Sequence, residues 1–220
     1  MAGRFRLPSH YGILLYMINY NLQEFRKTIL KANNSFEPVY FKNFIDKDNL
    51  PSWSDFLNCI YQEWQEPTNQ DLANTVAKNN EELHGTVIIT KDLYLNALNS
   101  NDSNFSINEK FQKYFPEIFK IAMQIEEESG IHFNLAGPKI CVGPHQSLSH
   151  KDTWAGFSLQ CEGKTTWVLS DKSLMGKEKI EYMETFDMSP GDLLFFPEGM
   201  YHQIEVSAPR ASLQFNSKFN

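Results

Sequence analysis

Short β-rich runs separated by turn residues follow one another through the C-terminal part of this 220-residue chain. Residues 157–161 show the pattern clearly, because Phe, Leu and Cys alternate there with Ser and Gln. Such alternation gives a strand one apolar face and one polar face. Many short strands at this spacing favour a barrel or a sandwich of two sheets. The predicted strands are residues 139–142, 157–161, 165–169, 180–183, 193–196, 202–206 and 211–215.

The N-terminal part predicts helices mixed with a few strands. Asn21 is a candidate N-cap with Glu24 three residues later, and Ser52 opens a second predicted helix. A third helix is predicted to begin at Pro116 and to end at Gly130. Outside the helices we predict strands at residues 38–41 and 86–90, a polar surface excursion at 66–83 and a loop at 99–104.

Composition narrows the class of protein. A formal net charge of −7 and a pI of about 5.4 disfavour a surface for nucleic acid. Cys59, Cys141 and Cys161 are odd in number and have no C-x-x-C spacing, which argues against a disulfide framework or a zinc site and for a reducing compartment. No run approaches the ~20 apolar residues of a membrane helix. We therefore expect a soluble, cytoplasmic protein that binds neither nucleic acid nor membrane.

Two motifs in the β-rich part carry the chemistry. The first is His150-Lys151-Asp152, an H-x-D in which an imidazole and a carboxylate are two residues apart. The second is the segment 190–202, in which Gly, five residues, Pro, one residue, Gly and two residues precede His202. Two imidazoles and one carboxylate can occupy one face of a metal's coordination sphere, which is the ligand set of non-haem Fe(II) oxygenases.

The second motif resembles one of the cupin superfamily, and the order of elements from residue 139 onward resembles the Jumonji C family of Fe(II)- and 2-oxoglutarate-dependent hydroxylases. The resemblance implies a mainly β fold with some α, in which a double-stranded β-helix (a cupin or jelly-roll barrel) carries a helical N-terminal cover. We predict one domain over residues 1–220, with the cover at 1–130 and the barrel at 131–220. By the same resemblance, His150, Asp152 and His202 are the iron ligands.

The resemblance also implies residues that hold 2-oxoglutarate. Ser147 matches a hydroxyl position of the family, and Asn216 roughly matches an amide that contacts the cosubstrate. The family's lysine falls on Thr165, with Lys164 one residue earlier. A shift of one residue points a strand side chain to the opposite face, so either a bulge at Gly163 turns Lys164 inward or the cation comes from elsewhere.

Arg210 is the other candidate cation. Arg210-Ala211-Ser212 lies eight residues beyond His202 and resembles the R-x-S clamp of the wider 2-oxoglutarate oxygenase superfamily. An arginine can hold a carboxylate through two parallel hydrogen bonds. We favour Arg210 over Lys164, with a solvated turn as the alternative interpretation.

Two positions bear on the substrate. Trp154 follows the H-x-D closely and is either a wall of the pocket or a core residue. The family's substrate-side Asn, six residues after the first iron ligand, is replaced by Gly156. Substrate preference is therefore not carried over from the family.

The leading hypothesis is an Fe(II)/2-oxoglutarate-dependent dioxygenase that hydroxylates a polypeptide side chain or a small molecule with O₂ and releases succinate and CO₂. Two alternatives stay open. One is a metal-dependent cupin, a dioxygenase or isomerase, that does not use 2-oxoglutarate, and the other is a metal-free cupin binding module. Because only four residues follow Asn216, we also expect no C-terminal dimerisation helix and a monomeric protein.

Overall fold

The computed structural model describes residues 18–65, 74–77, 104–107, 114–141 and 144–219. Within these residues it has three α-helices and twelve strands. The helices are α1 (Leu22–Ser35), α2 (Trp53–Gln65) and α3 (Pro116–Ser129). The strands are β1 (Val39–Phe41), β2 (Asn74–Ala77), β3 (Asn104–Ile107), β4 (Asn134–Cys141), β5 (His145–Gln146), β6 (His150–Lys151), β7 (Ala155–Glu162), β8 (Thr165–Ser170), β9 (Met183–Met188), β10 (Leu193–Phe196), β11 (Tyr201–Val206) and β12 (Arg210–Ser217).

The strands form two antiparallel sheets. The major sheet has the order β1-β10-β7-β12-β4-β3-β2, and the minor sheet has the order β5-β11-β8-β9 with β6 also paired to β11. Strands that are distant in sequence lie side by side in both sheets, as in a jelly roll. The predicted double-stranded β-helix with a helical N-terminal part is confirmed. The N-terminal part also supplies β1, β2 and β3 to the two edges of the major sheet.

Helix ends follow the predicted capping signals. The Asn21 side chain accepts hydrogen bonds from the backbone N–H groups of Gln23 and Glu24 at 3.0 and 3.1 Å. Pro116 opens α3, and Gly130 ends it in the left-handed region at φ 69°. Such caps satisfy backbone groups that a helix end leaves unpaired.

Some predicted elements differ from the structure. The strand predicted at 180–183 is wrong, because Asp171 accepts hydrogen bonds from the N–H groups of Glu181 and Tyr182 and holds them in a turn. The strand begins only at Met183. The polar excursion predicted at 66–83 contains β2, and the strand predicted at 86–90 lies outside the described residues.

Alternation along β12 separates the two sides of the major sheet. Ala211, Leu213 and Phe215 belong to an apolar cluster with α1 and α3, which cover the outer face. The intervening residues, Arg210 and Ser212 among them, therefore face the barrel interior. A second cluster lines the interior from the minor sheet and from β10; it includes Trp167, Leu169, Leu194, Phe196 and Ile204.

Asp192 joins β1 and the turn that follows it to the turn between β9 and β10. Its buried carboxylate accepts hydrogen bonds from the Tyr40 hydroxyl at 2.6 Å, from Asn43 N at 2.8 Å and from Ser189 N at 2.7 Å. Burial and the bond to Asp192 both raise the pKa of Tyr40. One carboxylate thus fixes β1 and the turn between β9 and β10.

Asp192→Ala is expected to lower the free energy of unfolding by about 2–4 kcal/mol, because three donors lose a charged acceptor. Urea denaturation measures the change. Asp48→Ala is the control, since Asp48 is exposed on a 3₁₀ turn, and it should cost no more than about 0.5 kcal/mol. Equal losses in the two variants would contradict the role given to Asp192.

Candidate metal centre

Strand pairing brings the two motifs together. In the antiparallel pair β6–β11, His150 lies directly opposite His202, and their ring centroids are 4.3 Å apart. Asp152 follows two residues after His150, and its Oδ2 lies 3.8 Å from His202 Nε2. Ligand atoms of all three residues lie within 4.8 Å of one another. The residues predicted as metal ligands therefore form one cluster.

A tight turn between β10 and β11 orients His202. Met200 N donates to Pro197 O at 3.2 Å, and Gly199 occupies the left-handed region at φ 81°. Such a turn requires a residue that tolerates positive φ. Gly199 N also donates to Asp152 O at 3.0 Å, so the turn is fastened to the H-x-D segment. Gly199 of the second motif thus connects the two motifs through a backbone hydrogen bond.

Both imidazoles are oriented by a backbone carbonyl two residues earlier. His150 Nδ1 lies 2.9 Å from Leu148 O, and His202 Nδ1 lies 3.2 Å from Met200 O. A carbonyl only accepts, so Nδ1 carries the proton in each ring and Nε2 keeps its lone pair. This is how ligating histidines are commonly held.

Electrostatics keeps His202 neutral. Burial and the neighbouring His150 lower the pKa of His202 to about 4, against the opposing effects of Asp152 and of the bond to Met200. Because this pKa lies below the usual value for histidine, the ring is uncharged at neutral pH. A metal ligand must be deprotonated. Two neutral imidazoles and one carboxylate suit Fe(II) and leave further coordination positions open.

Aromatic side chains pack against the buried His202. The Phe196 and Trp167 rings lie 4.7 and 5.7 Å from its ring. Phe196 also covers Gly156, since a Cβ atom at Gly156 would lie 2.2 Å from Phe196 Cζ. The space for a side chain at position 156 is therefore filled by a phenyl ring. Trp154 is 36% exposed, with Lys218 Nζ 4.6 Å from its ring centroid, which excludes the core interpretation of Trp154.

Arg210 lies inside the barrel. It is 1% exposed, and its Nη1 donates to Ser212 Oγ at 2.5 Å and to Lys139 O at 3.3 Å. Burial raises the pKa of the Cys141 thiol, and the adjacent Arg210 guanidinium opposes that rise. Among the residues that the structure describes, Arg210 forms no ion pair with a carboxylate, and its Nε has no hydrogen-bond partner. A solvated turn, the alternative interpretation of Arg210, does not fit this burial.

Lys164 lies on the outside, contrary to the possibility that it turns inward. It is exposed, while Thr165 is buried and donates to Gln160 Oε1 at 3.0 Å. The irregularity in the ladder falls on β7 near Cys161, where Ala211 pairs with Glu162 and Ser212 with Gln160. No bulge at Gly163 redirects Lys164 into the barrel.

Ser147 and Asn216 occupy different surroundings. Ser147 is buried, and its Oγ accepts from Ile204 N at 2.9 Å while its own N–H donates to Ile204 O. This hydroxyl oxygen therefore fastens the segment before His150 to β11. Asn216 is half-buried on β12, on the same face as Arg210 and opposite Gly156.

Sequence reasoning did not single out Ser158 and Gln160. Both are fully buried, and both belong to the polar face predicted for residues 157–161. The alternation of apolar and polar residues at 157–161 is the sequence pattern that indicates these two positions. Without the barrel, that polar face could not be told from a solvated one.

Cavity size alone would not locate this cluster. A cavity of about 620 Å³ opens at the opposite end of β8 and β11 and is lined by Lys164, Thr165, Asp187 and Glu205, among others. His150, Asp152 and His202 do not line it.

Residues 112–220 match the family model of the JmjC domain. The predicted resemblance to the Jumonji C family is confirmed, and the C-terminal half of the chain carries a domain of this family. Similar solved structures include the ribosomal oxygenase YcfD of Escherichia coli, at 14% identity and a TM-score of 0.66 over 93% of this chain and 52% of that one.

Two further structures of the same Escherichia coli protein are also similar at 14% identity. Its complex with cobalt and 2-oxoglutarate has a TM-score of 0.66, and its complex with cobalt and succinic acid has a TM-score of 0.64. Each match covers 93% of this chain and 53% of the other. The chain spans about half the length of these structures, and at this identity the likeness establishes the fold.

His150→Ala and Asp152→Ala are each expected to weaken Co(II) binding by more than about 100-fold, because loss of an outer-shell partner alone can reach that value. Both side chains are partly exposed, so the variants should keep the thermal unfolding transition of the unsubstituted protein. Calorimetric titration with Co(II) and circular dichroism measure the two quantities.

His132→Ala is the matched control, since the His132 side chain is 83% exposed and pairs with Glu126 away from the cluster. It should bind Co(II) as the unsubstituted protein does. Unchanged binding in the His150 and Asp152 variants would exclude the cluster as the metal site.

Proposed function

We propose that the chain is an Fe(II)- and 2-oxoglutarate-dependent oxygenase that hydroxylates its substrate and releases succinate and CO₂. His150, Asp152 and His202 would hold the metal, and Arg210 would hold the distal carboxylate of 2-oxoglutarate. When bound, iron and 2-oxoglutarate supply the activation of O₂ for oxidation of a C–H bond.

The observation that carries the proposal is the buried guanidinium of Arg210. Burying a cation without a counter-charge is costly, and the described part of the chain offers Arg210 no carboxylate. Its contacts to Ser212 and Lys139 direct the guanidinium along β12 towards Asn216 and Gly156. That is the end of the barrel where Asp152 leads into β7. A dicarboxylate between the metal cluster and Arg210 would supply both the missing charge and a metal ligand.

The residues around this space have distinct roles in the proposed reaction. The carbonyls of Leu148 and Met200 orient the two imidazoles, and Phe196 and Trp167 exclude water from the buried side of His202. The Asp152 side chain is 42% exposed, so the substrate would approach from that side, past Trp154. In cofactor enzymes the protein contributes by holding the reactants in place and by excluding water.

A metal-dependent cupin that does not use 2-oxoglutarate is the second candidate function. It accounts for the metal cluster equally well, but it gives the buried Arg210 no partner. The half-exposed surroundings of Asp152 suit a side chain on a polypeptide or a small molecule. The description of YcfD as a ribosomal oxygenase supports the polypeptide.

Two features of the described residues concern the protein's cellular location. None of the described helices is long and apolar enough to cross a membrane. Cys59, Cys141 and Cys161 are buried thiols, which supports a reducing compartment such as the cytoplasm. The monomeric state stays a prediction, for which light scattering at micromolar concentration is the test.

The direct test is release of succinate from 2-oxoglutarate by the purified protein with Fe(II) and O₂. A parallel assay adds a peptide library, because a polypeptide is the favoured class of substrate. Metal-dependent succinate formation that Asp152→Ala abolishes would support the proposal. Tight metal binding with no binding of 2-oxoglutarate would favour the second candidate.

Arg210→Ala is expected to raise the dissociation constant for 2-oxoglutarate by roughly 30- to 150-fold, because a charge-assisted hydrogen-bond pair is worth about 2–3 kcal/mol. Metal affinity should change little. Lys164→Ala, which removes an exposed cation, is the matched control and should leave both constants unchanged. Loss of 2-oxoglutarate binding in the Lys164 variant alone would place the clamp elsewhere.

A further inference from the structure

Ser158 is a buried hydroxyl without a partner inside the barrel. The residue has no exposed surface, and its Oγ forms no hydrogen bond. Within the described residues, the other buried side-chain atoms in this condition are Arg210 Nε and Gln124 Oε1. Gln124 belongs to α3, outside the barrel. Two of the three unsatisfied atoms therefore face the barrel interior.

Neighbouring polar groups on the same face are satisfied. Gln160 donates to Glu162 O at 2.7 Å and accepts from Thr165, and Ser212 accepts from Arg210. Buried hydroxyls normally find such partners. Ser158 therefore stands out against its own surroundings, since an unmade hydrogen bond in the interior is costly.

Strand register places Ser158 close to the guanidinium. On β7 and β12, Ser158 pairs with Gln214 and Gln160 pairs with Ser212. Ser158 and Ser212 are thus diagonal neighbours on one face, with backbones ~7–8 Å apart. Arg210 Nη1 donates a hydrogen bond to Ser212 Oγ. A carboxylate that accepts hydrogen bonds of ~2.8 Å from Ser158 Oγ and from the guanidinium would bridge the two strands.

We propose that the Ser158 hydroxyl is a binding group for the distal carboxylate of 2-oxoglutarate, which it contacts from β7 while Arg210 contacts it from β12. The proposal rests on the proposed function and assigns to that site a residue on a different strand from the arginine. A hydroxyl that lacks an acceptor and a guanidinium that lacks a counter-charge are both satisfied by one anion. Neither is satisfied by the protein alone.

A merely structural role for Ser158 predicts different behaviour. Ser158 pairs with Leu194 on its other side, next to the interior apolar cluster, and a small residue there could serve packing alone. Replacement by Ala would then leave ligand binding unchanged. If the hydroxyl binds the carboxylate, Ala weakens 2-oxoglutarate binding but does not lower the thermal stability of the ligand-free protein, because the lost group had no partner.

The test is calorimetric titration of 2-oxoglutarate into the full chain loaded with Mn(II) under anaerobic conditions. Ser158→Ala should raise the dissociation constant by about 10- to 100-fold, with unchanged Mn(II) affinity and no fall in the melting temperature of the ligand-free protein. Competition with 2-oxopentanoate, which has a methyl group in place of the distal carboxylate, should be insensitive to the same substitution.

Ser170→Ala is the matched control. Ser170 is equally buried on β8, but its Oγ donates to Lys172 O at 2.6 Å. This variant should melt at a lower temperature and bind 2-oxoglutarate normally. If the unsubstituted protein binds 2-oxoglutarate and Ser158→Ala binds it equally well, the assignment of Ser158 is wrong while the proposed function stands. If the unsubstituted protein does not bind 2-oxoglutarate at all, both are wrong.

Discussion

The antiparallel pairing of β6 with β11 is the contact on which the cluster of candidate metal ligands depends. It sets His150 opposite His202, and the bond from Gly199 N to Asp152 O adds the third residue to the same arrangement. β6 has only two residues, so its position derives from Ser147, which binds the backbone of Ile204 on β11 from both its hydroxyl and its N–H. Backbone hydrogen bonds thus set the relative positions of His150, Asp152 and His202.

The sequence predicted the fold better than it predicted the interior of the site. Alternation and capping signals located α1, α3 and most strands of the barrel, because these signals are local. The clustering of His150, Asp152 and His202 was predictable because each of them lies within a spaced motif. The strand at Met183–Met188 was misplaced, since the Asp171 carboxylate that delays its start is ten residues away from Glu181 in the chain.

Residues that face the barrel interior from distant strands were harder to predict. Lys164 is exposed while the adjacent Thr165 is buried, and a shift of one residue along a strand reverses which of the two faces inward. Ser158 carried no motif at all. Its distinction is the absence of a hydrogen-bond partner, a property that exists only once β7, β10 and β12 are assembled.

The contact between Gly156 and Phe196 links two positions that are forty residues apart in the sequence. Because the phenyl ring occupies the place of a side chain at position 156, no side chain can be added there while Phe196 stays in place. A larger residue at 156 requires a smaller one at 196, and the smaller residue in turn uncovers the ring of His202. A polar substrate contact introduced at position 156 would therefore require a change in the ring that packs against His202, one of the three candidate metal ligands.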